Sequence, residues 1–345
     1  MTTMTSRMSE AQIEPARGAS RWILTAILMA LLVILPFVAP GYWIYFAGLL
    51  GINIIAAQGL NIMMGYTGLL SLGHAAFVGV GAYTVALLQT HFDLPFWIAL
   101  PLAGVAAAVI GVGFGLPSLR IRGLYLVIAT LAAQFILQFT FVNWQWLTNG
   151  DVGLPVRPAA LFGFAFNNET RIYYLILALM ILLMIFANNV IRSRAGRAFV
   201  AIRERDLTAQ VLGVEIVRYK LLAFALGSFY AGIAGGLLAY FNQYVNPEQF
   251  GLLLSVFFLS AVIVGGMGTI LGAILGSIFM TLLPEVLREL SLLAGATLGY
   301  DLGPILTPLR EAIFGVLIVG FLLLEPRGLA QLWRRVSSAI SRSRT

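Results

Sequence analysis

Few side chains in this chain could act as acids, bases, nucleophiles or metal ligands. It has no cysteine and two histidines, His74 and His91. Disulfides, thiolate metal sites and cysteine nucleophiles are therefore excluded, and a zinc site built from this chain alone would be short of ligands. Neither a GxxxxGKS/T phosphate loop nor an HExxH pair occurs, so the chain does not supply its own nucleotide or protease site by those routes. What remains falls in two places. One is a run of neutral polar groups, Asn53, Gln58, Asn61, Tyr66, Thr67, Ser71 and His74, set among apolar neighbours. The other is a cluster of four consecutive charges, Arg203, Glu204, Arg205 and Asp206. The first suits hydrogen bonding to another helix or to a passing polar solute. The second suits contact with a protein or a charged surface.

Composition decides which elements position these groups. Of 345 residues, 60% are hydrophobic and only 10% are charged, and the mean hydropathy is +0.94. Soluble domains carry about 25% charged residues. The fold class is therefore an all-α polytopic integral membrane protein; disorder and a large cytosolic enzyme are excluded. About ten apolar segments recur, against a requirement of ~20 residues per span, at 22–38, 43–63, 74–88, 96–114, 124–142, 173–190, 221–240, 252–264, 270–283 and 313–324. Those starting at 74, 252, 270 and 313 are short enough to be half-helices or re-entrant pieces, which leaves eight to ten true spans. Residues 1–21 read as a polar cytoplasmic leader, and residues 331–345 as a basic cytoplasmic tail. No small-residue cleavage site follows 22–38, so that segment reads as an uncleaved first span.

The net charge of +7 has a topological meaning. Threading ten spans from a cytoplasmic N-terminus places Arg157, Arg171, Arg288 and Arg310 outside and every other one of the 21 basic residues inside. That is the positive-inside rule; lipid, and not nucleic acid, is the partner of this basicity. Within the ten segments there is no Asp, Glu, Lys or Arg. A charge at the bilayer centre costs about 2.5–3.5 kcal/mol on insertion scales, so those that persist have a task. Here no coupling carboxylate exists, and paired-aspartate proteolysis is excluded. If this protein moves a solute uphill, a partner supplies the energy. A passive channel shares the charge-poor spans but has no need of the charged 192–220 loop; a membrane-embedded enzyme lacks any acid, base or metal constellation.

Three patterns carry more detail. In 192–220, Gly196 and Gly213 bracket a helix-compatible stretch with Phe199, Ile202, Ala209 and Leu212 on one face. Two readings stand: an amphipathic helix docked in a groove of a cytoplasmic partner, or one lying on the anionic inner leaflet. Rows of small residues four apart, Gly227–Ala231–Gly235, Gly232–Gly236 and Gly268–Gly272–Gly276, suit close helix packing in lipid or a pathway lined by backbone. In 58–83, Gly65, Gly68 and Gly73 are placed to break a helix at membrane depth, which is tolerated only where protein or a wet cavity covers it and which often marks a transport site. His74 there serves as an interhelical hydrogen-bond donor or as a ligand contact.

Taken together, the blocks GLNIMMGYTGLLSLGHAAFVGVGAYT (59–84), LRIRGLYLVIATLA (119–132), TNGDVGL (148–154), GRAFVAIRERDLTAQVLGV (196–214), YKLLAFALGSFYAGIAGGL (219–237), NPEQFG (246–251), VGGMGTILGAILG (264–276) and EPRGL (325–329) resemble the branched-chain amino-acid permeases of ABC importers. Their order and the arginine-bearing LRIRG are more similar to the LivM-like than to the LivH-like member of the usual pair. The resemblance covers about residues 45–330 and makes 22–330 a transmembrane permease domain. It implies a bacterial inner-membrane subunit that pairs with a LivH-like sister, two cytosolic ABC ATPases that bind the ATP and magnesium, and an extracytoplasmic solute-binding protein. It implies no cofactor and no catalysis in this chain. It makes 196–214 the coupling segment, with Arg203, Glu204, Arg205, Asp206 and Thr208 against an ATPase. Residues 149–151 and 246–249 then face the binding protein. With the pathway between subunits, Asn61, Tyr66 and His74 are candidate lining residues, and Gly227, Gly235, Gly268, Gly272 and Gly276 pack helices. Phe257 and Phe258 stand where many members carry an acidic residue. Urea or another small amide is the alternative solute.

Overall fold

Long apolar segments in lipid satisfy their backbone groups only as helices or closed barrels, and this chain takes the helical solution. The structure is a computed structural model that describes residues 31–118, 123–161, 164–298, 315–316, 319–320 and 328–331. Among the described residues, eight helices are long and apolar enough to cross a membrane. They coincide with the eight expected segments from 43–63 to 270–283; of segment 22–38 only 31–38 is described, and it is helical, while most of 313–324, the leader and the tail lie outside the described residues.

Helix α1, Gly41–Leu60, continues as a π-helical turn, Asn61–Tyr66. After a non-helical stretch come α2, His74–Phe92, and α3, Phe96–Ser118, then α4, Leu124–Asn143, and α5, Glu169–Arg192. Two short helices follow, α6, Arg194–Glu204, and α7, Asp206–Val211. The long α8, Ile216–Asn242, precedes α9, Leu252–Gly265, and α10, Ile270–Leu298. Two of the segments expected to be short are full helices, with 19 residues in α2 and 29 in α10. The α-helical part of α9 has 14 residues, roughly 21 Å at 1.5 Å per residue, and the 3-10 turn Pro247–Phe250 before it extends the span to 19 residues.

The core is the packing of α8 against α1, α2 and α3, and glycine makes it possible. Lipid tails are as apolar as leucine, so association depends on close van der Waals contact. A Cβ on Gly59 would stand 2.6 Å from Tyr230 Cβ and 2.7 Å from the Gly227 carbonyl oxygen. One on Gly232 would stand 2.6 Å from the Ala103 carbonyl oxygen, and Gly235 lies against the backbone of Val78. A second close pair joins α9 to α10, where Gly272 and Gly276 abut Gly265 and Ala261. Gly268, expected in that row, lies instead in the turn between the two helices with φ +76°.

Buried polar side chains tie this frame together. Gln134 of α4 accepts from the Ala76 amide at 2.9 Å, donates to the Phe250 carbonyl at 2.7 Å and accepts from the Ser255 hydroxyl at 3.1 Å. Ser255 in turn accepts from the Ala75 amide at 2.9 Å. Replacing Gln134 by leucine keeps the volume but strands the Ala76 amide and the Phe250 carbonyl, at about 1–3 kcal/mol for each buried group left unpaired. A clear drop in melting temperature of the purified protein is expected; a Gln134→Leu protein as stable as the parent would disprove this role.

At the end of the bundle away from α6 and α7, the loop after α4 forms strand β1, Leu154–Pro155, and the hairpin β2, Ala160–Leu161, with β3, Phe164–Ala165. Strand β4, Tyr244–Val245, pairs antiparallel with β1, Leu154 opposite Val245. Asn149 takes a left-handed conformation, φ 60°, and its side chain donates to the Gly153 carbonyl at 3.0 Å. Gly153 packs against Val245 and Asn246, and the Tyr244 hydroxyl donates to the Val152 carbonyl. Residues 149–151 and 246–249, expected to share a partner, are thus brought to one surface.

Candidate functional site

The site begins with the π-helical turn. Widening α1 at Asn61–Tyr66 frees side chains and carbonyls that a regular helix would occupy, and such turns concentrate at functional positions. Asn61 uses both ends of its amide on the turn between α9 and α10: Nδ2 donates to the Thr269 carbonyl and Oδ1 accepts from the Gly268 amide, both at 2.9 Å. Gly65 has no room for a side chain, since a Cβ would lie 2.5 Å from the Gly268 nitrogen. Further on, Gly328 packs on Gly265 and Gly266, so three separated sequence blocks meet at one point.

Helices α6 and α7 close over this point. Ser193 caps α6 by accepting from the Ala195 amide at 3.1 Å, which satisfies one of the free donors of the first turn. Ala198, Phe199 and Ile202 are buried, and Phe199 meets the Tyr219 ring edge-on. The chain breaks at Arg205, which is extended at φ −158°, ψ 109°; α7 then buries Ala209 and ends before Gly213, whose φ is +83°. Asp206 pairs with Lys220 of α8 at 2.7 Å, with side-chain exposures of 17% and 5%. Arg203 turns toward the bundle, and its Nη1 donates to the Gly65 carbonyl at 2.5 Å. Leu207, Val211 and Leu212 are left uncovered, at 66%, 87% and 76% exposure.

A family model described as "Branched-chain amino acid transport system / permease component" matches residues 42–322. The chain belongs to that family. The permease is 35% identical over 304 residues to the high-affinity branched-chain amino acid transport system permease protein LivM of Salmonella typhimurium, a match covering 80% of this chain and 72% of that one. To LivM of Escherichia coli it is 35% identical over 286 residues, 76% of this chain and 67% of that one. To LivH of Escherichia coli it is 27% identical over 243 residues, 64% of this chain and 76% of that one. No solved structure matches the chain significantly. The permease is a multi-pass membrane protein and a component of a transport system.

The permease distributes its sequence-expected residues in a way that spacing did not show. Phe199, Ile202 and Ala209, three of the four apolar-face residues, face the permease itself and neither a partner nor lipid; Leu212 points outward. The single helix expected between Gly196 and Gly213 is two. Of the five residues expected against an ATPase, Glu204, Arg205 and Thr208 are exposed; Arg203 is also exposed along part of its side chain but its guanidinium reaches the Gly65 carbonyl, and half-buried Asp206 pairs with Lys220. Asn61, Tyr66 and His74 are all buried. His74 Nε2 lies 2.8 Å from the Ala56 carbonyl, its ring meets Phe258 edge-on, and its Nδ1 finds no partner among the described residues. An outward groove of about 530 Å³ follows α4 along Phe135, Gln138, Phe139 and Asn143. Two residues escaped sequence reasoning. Gln134 is one neutral polar residue among several in spans and carries no signal. Lys220 carried one: it is the only lysine in a chain otherwise basic through arginine.

Proposed function

We propose that this permease is the LivM-like subunit of an ABC importer for branched-chain amino acids in a bacterial inner membrane, with both termini cytoplasmic. It forms the membrane pathway as a heterodimer with a LivH-like sister. Two cytosolic ATPases bind the ATP and magnesium and dock on α6 and α7; this chain holds no cofactor and catalyses no reaction. An extracytoplasmic binding protein delivers solute to the surface formed by 149–151 and 246–249.

The observation that carries the reading is the uncovered ridge Leu207–Val211–Leu212, flanked by exposed Glu204, Arg205 and Thr208. Apolar anchors ringed by charges of both signs suit a protein groove, whereas a helix on an anionic leaflet carries a uniformly basic face. The names of the 35%-identical relatives support the solute class.

The test is reconstitution with the sister permease, both ATPases and the binding protein, followed by leucine uptake. Uptake is expected only with ATP and the binding protein together; undiminished uptake without ATP would overturn the importer reading. The docking part has its own readout. Leu207→Asp combined with Val211→Asp should lower ATPase co-purification at least about tenfold, the effect of ~1.4 kcal/mol, while the melting temperature stays put because both positions are exposed. Equal recovery of the ATPases would refute docking on this ridge.

A further inference from the structure

We propose that Arg203 is a positioning residue: it latches α6 to the π-helical turn and to the α9–α10 turn, so that a displacement of α6 is passed to both. This rests on the reading of α6 and α7 as the segment on which the ATPases dock.

An arginine on a short surface helix has solvent available to it, yet this one runs inward through a cradle of three glycines. Its Cγ passes 3.4 Å from the place a Gly68 Cβ would take. Its Nη1 stands 2.5 Å from the place a Gly268 Cβ would take, and it donates to the carbonyl of Gly65. Gly68 and Gly268 both have φ +76°, a conformation that glycine adopts without steric cost. A side chain at Gly268 would push the guanidinium out, while one at Gly65 would strike Asn61 and the Gly268 nitrogen and so disturb the turn that the guanidinium meets.

The carbonyl it meets is one left over by the helix. At the end of the π turn, the Met63 and Met64 carbonyls receive the Leu69 and Gly68 amides. Gly65 is next in line, and the terminal carbonyls of a helix have no partner within it. A guanidinium carries five donors and its charge strengthens the bond. The acceptor does not move alone. Through the two bonds of Asn61, the π turn and the 268–269 backbone form one piece, and Arg203 grips that piece from α6. Asp206, three residues on, grips α8 through Lys220. The outer surface of α6–α7 is thus free for a partner, while its inner surface holds two different parts of the bundle.

The test uses Arg203→Gln in the fully assembled transporter. The chain lacks cysteine, so Leu70→Cys and Val200→Cys, both exposed positions, can carry spin labels that report the separation of the 67–73 stretch from α6. The latch expects the ATPases to co-purify with Arg203→Gln as with the parent, leucine uptake per ATP hydrolysed to fall at least about tenfold, a change as large as those at coupled sites, and the label distance to change from one narrow population to a broad one. Parental uptake per ATP, or an unchanged distance distribution, would overturn the latch. Loss of the ATPases from Arg203→Gln would overturn it too, by making Arg203 a docking contact. Failure of the importer reading shows itself separately, as ATP-independent uptake by the unsubstituted complex.

Discussion

Lys220→Met and Asp206→Asn should each unseat α6 and α7 from the bundle, with a loss of about 3–5 kcal/mol, the usual cost of removing one member of a buried pair. The reason is desolvation. Lys220 and Asp206 meet at 2.7 Å with 5% and 17% of their side chains exposed. Either substitution takes from the other group the counter-charge it meets in a largely apolar setting. The contrast within the same molecule is Arg157 with Asp93, also 2.7 Å apart but 77% and 74% exposed, where about 0–1 kcal/mol is expected. Trypsin makes the measurement direct, because Arg197, Arg203, Arg205 and Arg218 lie in or beside the affected helices. Cleavage in 194–218 should accelerate strongly in both single variants. The double variant Asp206→Leu/Lys220→Met should recover most of the protection, since an apolar pair often replaces a buried ion pair without loss. Single variants as resistant as the parent would show that the pair does not hold the segment.

Gly235→Val should prevent α8 from seating on α2. A Cβ at this position runs into the Val78 carbonyl and stands 3.1 Å from the Ala82 nitrogen, so the obstacle is backbone and cannot rotate away. Moving α8 outward then loosens Gly232 from α3 and Gly59 from Tyr230. Overpacking ordinarily costs about 1–3 kcal/mol, and a clash with main chain in the middle of the core belongs at or above the top of that range. The matched control is Gly113→Ala in α3, where a Cβ meets nothing within 4 Å; removing a helical glycine there should stabilise by roughly 0.5–1 kcal/mol. Expression level and melting temperature of the two variants side by side decide the matter. A Gly235→Val protein that melts with the control would show that the glycine row does not set the helix spacing.

How far the sequence revealed this molecule depended on the physical signal behind each feature. Spans were legible because burial in lipid demands long apolar runs, and eight of the expected segments coincide with helices. The break near Gly65, Gly68 and Gly73 was legible from glycine clustering among polar residues, although its form, a π turn from Asn61 to Tyr66, was not. Direction was the illegible part. Helical periodicity placed Phe199, Ile202 and Ala209 on one face but could not say that this face meets the chain's own bundle. Nor could adjacency say that Arg203 and Asp206 turn inward while Glu204 and Arg205 turn out, because the extended residue at 205 resets the helical phase. Gly268 matched a helix-packing spacing by sequence and serves a turn in space. Strands of two residues, such as β1 and β4, are below the length at which alternation can be read.

The start of α2 has a consequence for how an amino acid is recognised. Helix beginnings carry partial positive charge and free amide donors, and broken helices in transporters commonly aim them at a substrate carboxylate. In this permease the Ala75 and Ala76 amides are already committed to Ser255 and Gln134, and the Leu72 amide to Thr130 at 3.0 Å. A carboxylate arriving at this helix end would find side chains from α4 and α9 acting as permanent stand-ins for it. Each of these amides is closed to an incoming anion by the permease's own side chains.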